Sequence, residues 1–190
     1  MNVLMSLLGG TAVAVLVVVS VAMAQEKKAA GGHDADEPGP VHKQMAKWAG
    51  EYTTSSRFYM KPNDASEETK GAATIKSVLG GRFLSEENSG KMLGQEFTGI
   101  RLYGYNNLSG KYEATWVYTG ATGMMTLSGT SKDEGKTIEY SASYEQKGSK
   151  MNLTVVMRHD SDDQFVVELI AKNPDGGRGP TLETTYTRKK

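Results

Sequence analysis

The chain contains no cysteine. No disulfide braces it, and no thiol is present to act as nucleophile or metal ligand. Histidine is nearly as scarce, with 3 in 190 residues, and two of them, His33 and His42, fall near the start. His159 is therefore the single imidazole of the remaining chain, which leaves little material for acid–base catalysis. Charge of one sign is missing as well, since 22 basic residues balance 22 acidic ones. Without a net positive field nothing gathers nucleic acid or anionic lipid, and neither is expected as a partner. Beyond Gly50 no stretch is long enough or spaced correctly for an amphipathic helix.

One long apolar run is present. Leu7 to Val21 is apolar apart from Gly9, Gly10, Thr11 and Ser20, and Ala22-Met23-Ala24 follows it. Small residues at Ala22 and Ala24 match the pattern read by signal peptidase, so residues 1–24 read as an export signal cleaved after Ala24. No Lys or Arg precedes the run, and the alternative is an uncleaved membrane anchor of about 20 residues. The expectation is an exported protein, periplasmic or secreted, with no stable membrane insertion once the signal is removed. Residues 25–40 include Ala29-Ala30-Gly31-Gly32 and Asp34-Ala35-Asp36-Glu37-Pro38-Gly39-Pro40. Such a composition buries no apolar surface and reads as a disordered linker. His33, Asp34, Asp36 and His42 are of metal-ligating type, but a Pro-interrupted tether does not pre-orient ligands, and no metal site is expected.

Residues 41–190 read as one β domain. Val41 to Trp48 has helical spacing at Val41, Met45 and Trp48, with Gly50 placed to end it, and predicts a short helix across one mouth of the domain. Period-two alternation then takes over. Strands are expected over Tyr52–Met60, Thr69–Leu79, Arg82–Asn88, Gln95–Tyr105, Lys111–Tyr118, Gly123–Ser131, Lys136–Glu145, Met151–His159, Gln164–Ala171 and Thr181–Arg188. About ten consecutive strands on short hairpins describe an all-β fold, a single antiparallel up-and-down β-barrel. Closure removes the sheet edges, and a barrel this wide is expected to enclose a cavity. A sandwich of two sheets with a filled core is the alternative.

Several phrases occur in a telling order. They are Trp48-Ala49-Gly50-Glu51-Tyr52, Leu79-Gly80-Gly81-Arg82-Phe83-Leu84, the hairpin Gly104-Tyr105-Asn106-Asn107 to Gly110-Lys111-Tyr112 and Thr115-Trp116, then Met125-Thr126-Leu127-Ser128-Gly129 and Thr185-Tyr186-Thr187-Arg188. Together, over about Met45 to Arg188, they resemble the bacterial domain-of-unknown-function family 1579 (DUF1579). The resemblance implies a lipocalin-like or fatty-acid-binding-like barrel, of the calycin kind, and no established activity. The family pattern implies an acidic residue two positions after the Trp of the fifth strand, where this chain has Tyr118.

No motif supplies a catalytic set, and none calls for a cofactor. No G-x-S-x-G occurs, and His159 beside Asp160 reads as a solvated strand-end histidine. Gly129 to Thr137 is one residue too long for a phosphate-binding loop and lacks a helix behind it. Glu86 and Glu87 are sequential, so they point to opposite faces and are poor partners for acid–base work. The candidate site is the lining. Arg101, Tyr103, Tyr105, Trp116 and Tyr118 fall on two strands joined by one hairpin, with Met125 on the next. Facing inward, they would offer an arginine for an anionic head group and rings for an apolar body. Facing otherwise, they are core filling around a solvated arginine. A small hydrophobic or amphipathic molecule is the expected partner of the first arrangement. The alternatives are a lipocalin-like enzyme using Arg101, Tyr118 or His159, and an interaction protein working through its outer face.

Overall fold

Residues 35–61, 64, 68–92, 94–146, 149–173 and 177–190 are described in the computed structural model. The export-signal reading, residues 25–34 of the linker, and the metal-ligating types His33 and Asp34 lie outside the described residues. Ten antiparallel strands close into a barrel in which each strand pairs with its chain neighbours and β1 pairs with β10. They are β1 (Gly50–Tyr59), β2 (Thr69–Val78), β3 (Phe83–Met92), β4 (Gln95–Asn106), β5 (Lys111–Tyr118), β6 (Met125–Ser131), β7 (Thr137–Gln146), β8 (Ser149–His159), β9 (Gln164–Lys172) and β10 (Arg178–Arg188). The barrel, and not the two-sheet sandwich, is therefore the fold.

Alternation fixes which side chains face in. Along β1, Tyr52 and Thr54 are buried while Glu51 and Thr53 are exposed. Cross-strand register carries the same choice around the ring, from Tyr52 to Ala73 on β2, then Asn88 on β3 and Gly99 on β4. The two glycine- and proline-marked boundaries differ from their expected places. β3 does not end at Asn88 but continues through Ser89-Gly90 to Met92. Gly90 pairs with Phe97 inside the strand, and a Cβ there would make only ordinary contact with the Phe97 ring, so this glycine marks no turn. β10 begins at Arg178 and absorbs Pro180 in a register shift between Arg178 and Thr181, where a missing N–H does no harm.

The helix α1 (Pro40–Ala46) starts after Gly39, with Pro40 in its first turn where no N–H is needed. It sits at the end of the barrel where the β1 start meets the β10 finish. Tyr52 OH donates to Trp48 O at 2.8 Å, and Arg188 Nη2 donates to Lys47 O at 2.9 Å. Gln44 Nε2 donates to Glu134 O at 2.6 Å. Residues 35–37 run against two hairpins, with Arg82 Nη2 donating to Glu37 Oε1 at 2.8 Å and Asn107 Nδ2 donating to Ala35 O at 3.1 Å.

His159 is not solvated as expected from its strand-end position. Its ring stacks on Trp48 with centroids 4.4 Å apart and leans on Phe165 at 5.1 Å. Burial lowers its pKa to about 4, against the weaker upward pull of Asp160. Among the described residues no helix is long and apolar enough to cross a membrane, and no cluster of metal-ligating side chains occurs.

Candidate functional site: a buried polar wall inside the barrel

The register of β2 to β5 stacks polar groups on one inner wall. Ile75, Glu86, Arg101 and Trp116 form one row of cross-strand partners, continued by Met125 on β6. Ala73, Asn88, Gly99 and Tyr118 form the next row. Glu86 is fully buried, and only 12% of the Arg101 side chain is exposed.

The Glu86 carboxylate is the hub. Arg101 Nη1 donates to its Oε1 at 2.9 Å, and Asn88 Nδ2 donates to the same oxygen at 2.7 Å. Tyr103 OH donates to Oε2 at 2.6 Å. Tyr186 OH, reaching in from β10, accepts from Arg101 Nη1 at 2.6 Å and donates to Glu86 Oε1 at 3.1 Å. Desolvating an ion pair costs several kcal/mol per ion, and only such dense hydrogen bonding offsets it. Burial works against the Arg101 charge, but Glu86, then Tyr186 and Tyr103, outweigh it and hold the guanidinium more firmly protonated than usual. Burial, then the Glu86 charge, raises the Tyr103 phenol far above its ordinary value. Burial also raises Tyr186, against the pull of Arg101. Both phenols are thus donors at any ordinary pH.

The Arg101 guanidinium lies 4.4 Å from the Trp116 ring centre, and Tyr118 stacks on Trp116 at 4.6 Å. Facing this wall is an apolar one, made by Leu127, Tyr140, Val155, Met157, Val167 and Leu169. Between the walls lies a hollow of about 20 Å³. That is room for about one water molecule, far less than the open interior expected of ten strands. The reason is the side chains. Tyr52, Tyr103, Tyr112, Trp116, Tyr140, Phe165 and Tyr186 are all buried among the barrel's core residues and occupy its width.

Each side chain picked out in the sequence is on the inner face. Arg101, Trp116, Tyr118 and Met125 lie together, and Tyr103 joins them through Glu86. Tyr105 does not belong with them. It packs edge-on against Tyr112 at 5.0 Å and against His42 of α1 at 5.9 Å, under the helix. Sequence reasoning passed over Glu86, Asn88 and Tyr186. The signal for Glu86 was available, because alternation from Leu84 places it inward and opposite Arg101.

Several solved structures share this architecture. The S-type phycobiliprotein lyase CPES from Guillardia theta is 10% identical, with a TM-score of 0.52 over 79% of this chain and 93% of that one. Rv2717c from M. tuberculosis is 12% identical, with a TM-score of 0.56 over 81% of this chain and 100% of that one. At such identities the likeness is one of fold. No curated protein matches the sequence. The profile of one family, described as "Protein of unknown function (DUF1579)", matches residues 37–188, nearly the whole barrel with its helix, and the chain belongs to that family.

Proposed function

We propose that the protein is a non-enzymatic barrel that takes up a small hydrophobic or amphipathic molecule between its polar and apolar inner walls. The observation that carries this reading is the buried Glu86–Arg101–Tyr103–Tyr186–Asn88 cluster facing an apolar wall across a hollow. A core built for stability alone gains more from apolar side chains than from a buried ion pair. Ionisable groups gathered beside a mostly apolar hollow are the usual composition of a ligand site. The setting we propose is outside the cytoplasm, on the strength of the Leu7–Val21 run and the Ala22-Met23-Ala24 sequence.

The geometry restricts the guest. Arg101 already has its counter-charge in Glu86, so an anionic head group gains nothing by displacing it, and a neutral guest suits the wall better. A hollow of about 20 Å³ admits a larger body only as side chains yield. Met125 and Met157 are the flexible members of the lining. The test is native mass spectrometry of protein purified without detergent, with thermal shifts measured against a panel of neutral amphiphiles. A bound small molecule, or saturable stabilisation, is expected. A bare protein that no amphiphile stabilises would remove the proposal.

One observation favours a second reading, that of an interaction protein. Phe83, Ile100 and Leu102 are 36%, 52% and 40% exposed on the outer face of β3 and β4. Replacing Ile100 and Leu102 by Lys would abolish any self-association seen by sedimentation, and no change in sedimentation would dispose of this reading. No observation favours the enzyme alternative: Arg101 is held by Glu86, and His159 is packed against Trp48.

A further inference from the structure

Two buried polar atoms near the cluster have no hydrogen-bond partner among the described residues: Asn88 Oδ1 and Trp116 Nε1. Asn88 is 8% exposed and Trp116 4%. An orphaned buried polar group costs about 1–3 kcal/mol, so a pair of them calls for an explanation. They lean toward one place. A Cβ on Gly99 would lie 2.7 Å from Asn88 Oδ1 and 2.7 Å from Trp116 Nε1. Having no Cβ, Gly99 lets the two atoms close over its backbone, with Val117 O 3.0 Å from the same point, so a group reaches both of them only by parting them there.

The polarity of that spot is fixed. Asn88 Nδ2 donates to Glu86 Oε1 at 2.7 Å, which turns the amide so that its oxygen, an acceptor, faces Gly99. An indole nitrogen only donates. A group seated over Gly99 must accept from Trp116 and donate to Asn88 at the same time. A hydroxyl or an uncharged amide does both. A carboxylate has no donor, and an ammonium has no acceptor. The neighbouring charges of Arg101 and Glu86 cancel, so nothing repays the desolvation of a charged head.

We infer that the guest of this barrel carries a hydroxyl or amide head, seated over Gly99 between Trp116 Nε1 and Asn88 Oδ1, with its apolar body toward Met125. This rests on the reading of the barrel as a ligand holder and narrows it to a chemical class. Trp116 faces Met125 across the β5–β6 pair, so a chain leaving the head group along the Trp116 ring meets the apolar wall.

The chain has two tryptophans, Trp48 and Trp116, so the indole N–H signals in a nitrogen-15 correlation spectrum are two, assignable with Trp48→Phe. The probes are 1-hexanol, hexanamide, hexanoate and hexane. The methyl signals of Met125 and Met157 report any occupancy of the interior, whatever its head group. With hexanol and hexanamide, saturable shifts of both the Trp116 indole and the methionine methyls are expected. Hexanoate and hexane should leave the indole unmoved. Gly99→Ala sets a methyl against both atoms and should abolish the indole response. Asn88→Leu, which removes the acceptor while keeping bulk, should weaken hexanol about tenfold, the value of one hydrogen bond. Methyl shifts without an indole shift would overturn this inference and leave the ligand-holder reading standing. Silence of both reporters to every probe would overturn the two together. An indole response equal for hexanol and hexanoate would also overturn the assignment of a neutral, two-way head.

Discussion

On β3 to β5 the inward positions carry Glu86, Asn88, Arg101, Tyr103 and Trp116, whereas on β7 to β9 they carry Ile138, Leu153, Val155, Met157 and Val167. The backbone is the same on both sides, an antiparallel meander with nearest-neighbour pairing. On the first wall each buried polar atom needs a particular partner at a particular distance, so geometry is demanding and a single loss propagates through Glu86. On the second, dispersion and burial are shared among many contacts, and a loss is felt in proportion to the volume removed. A stability-driven barrel has no need of the first wall, and the contrast is what points to a site.

The contrast is broken most severely at Glu86. Glu86→Ala strands the Arg101 guanidinium in the interior and is expected to cost about 3–5 kcal/mol in chemical denaturation. Adding Arg101→Leu to it should recover a good part of that loss, because the orphaned charge goes with it. A double variant as weak as the single one would mean that the wall acts by shape and not by charge.

On the apolar wall, Met157→Ala should cost about 3 kcal/mol and widen the hollow. Its effect should add to that of a distant surface change but not depend on pH or salt, which separates it from the polar wall in the same assay.

A third test uses the end of the barrel under α1, where His159 stacks on Trp48. His159 has its pKa lowered from 6.5 to about 4, by burial first. The unfolded chain thus takes up a proton in that window that the folded chain refuses. Stability is full above about pH 6.5 and falls as pH drops toward 4, by at most about 1.4 kcal/mol per pH unit from this group. Burial lowers His42 as well, so it adds in the same direction. His159→Phe keeps the ring stack and should flatten the fall; an unchanged pH profile would show that His159 is not the titrating group.

The smallest effect has the opposite sign. Tyr140 OH is buried on the apolar wall without a partner among the described residues. Tyr140→Phe removes an unsatisfied group and should be neutral or stabilising by about 1 kcal/mol in thermal melts. A clear loss there would mean that the hydroxyl is satisfied by something bound in the hollow.

The fold was largely legible in the residues. Alternation at Tyr52-Thr54, Phe97-Gly99-Arg101-Tyr103, Tyr112-Ala114-Trp116 and Leu153-Val155-Met157 grouped residues onto shared faces but left open whether those faces point in or out, which burial decides as inward. Turn chemistry was less reliable at Gly90, because a glycine inside a strand looks the same in sequence as one that turns a chain. The site was half legible. Arg101 and Trp116 were visible as an odd pairing on one hairpin, but Glu86, Asn88 and Tyr186 lie on two further strands, one of them 100 residues from Glu86. Glu86 and Asn88 come beside Arg101 through the β3–β4 hairpin, whereas the arrival of Tyr186 depends on ring closure, which no local pattern encodes. The small size of the hollow was hidden for a related reason, since it depends on how seven aromatic rings share one interior.

The pairing of β1 with β10 places Tyr52 beside Arg188 and Tyr59 beside Thr181. A ribosome therefore delivers the final piece of the ring last, and until it emerges the strands on either side of the gap are raw edges open to aggregation. Joining them spans almost the whole barrel, from Tyr52 to Arg188, the kind of long-range step that slows folding. The same adjacency makes start and finish spatial neighbours. A permuted chain linked across that seam and cut instead within Asn106–Gly110 would keep every strand pairing while changing which one forms last.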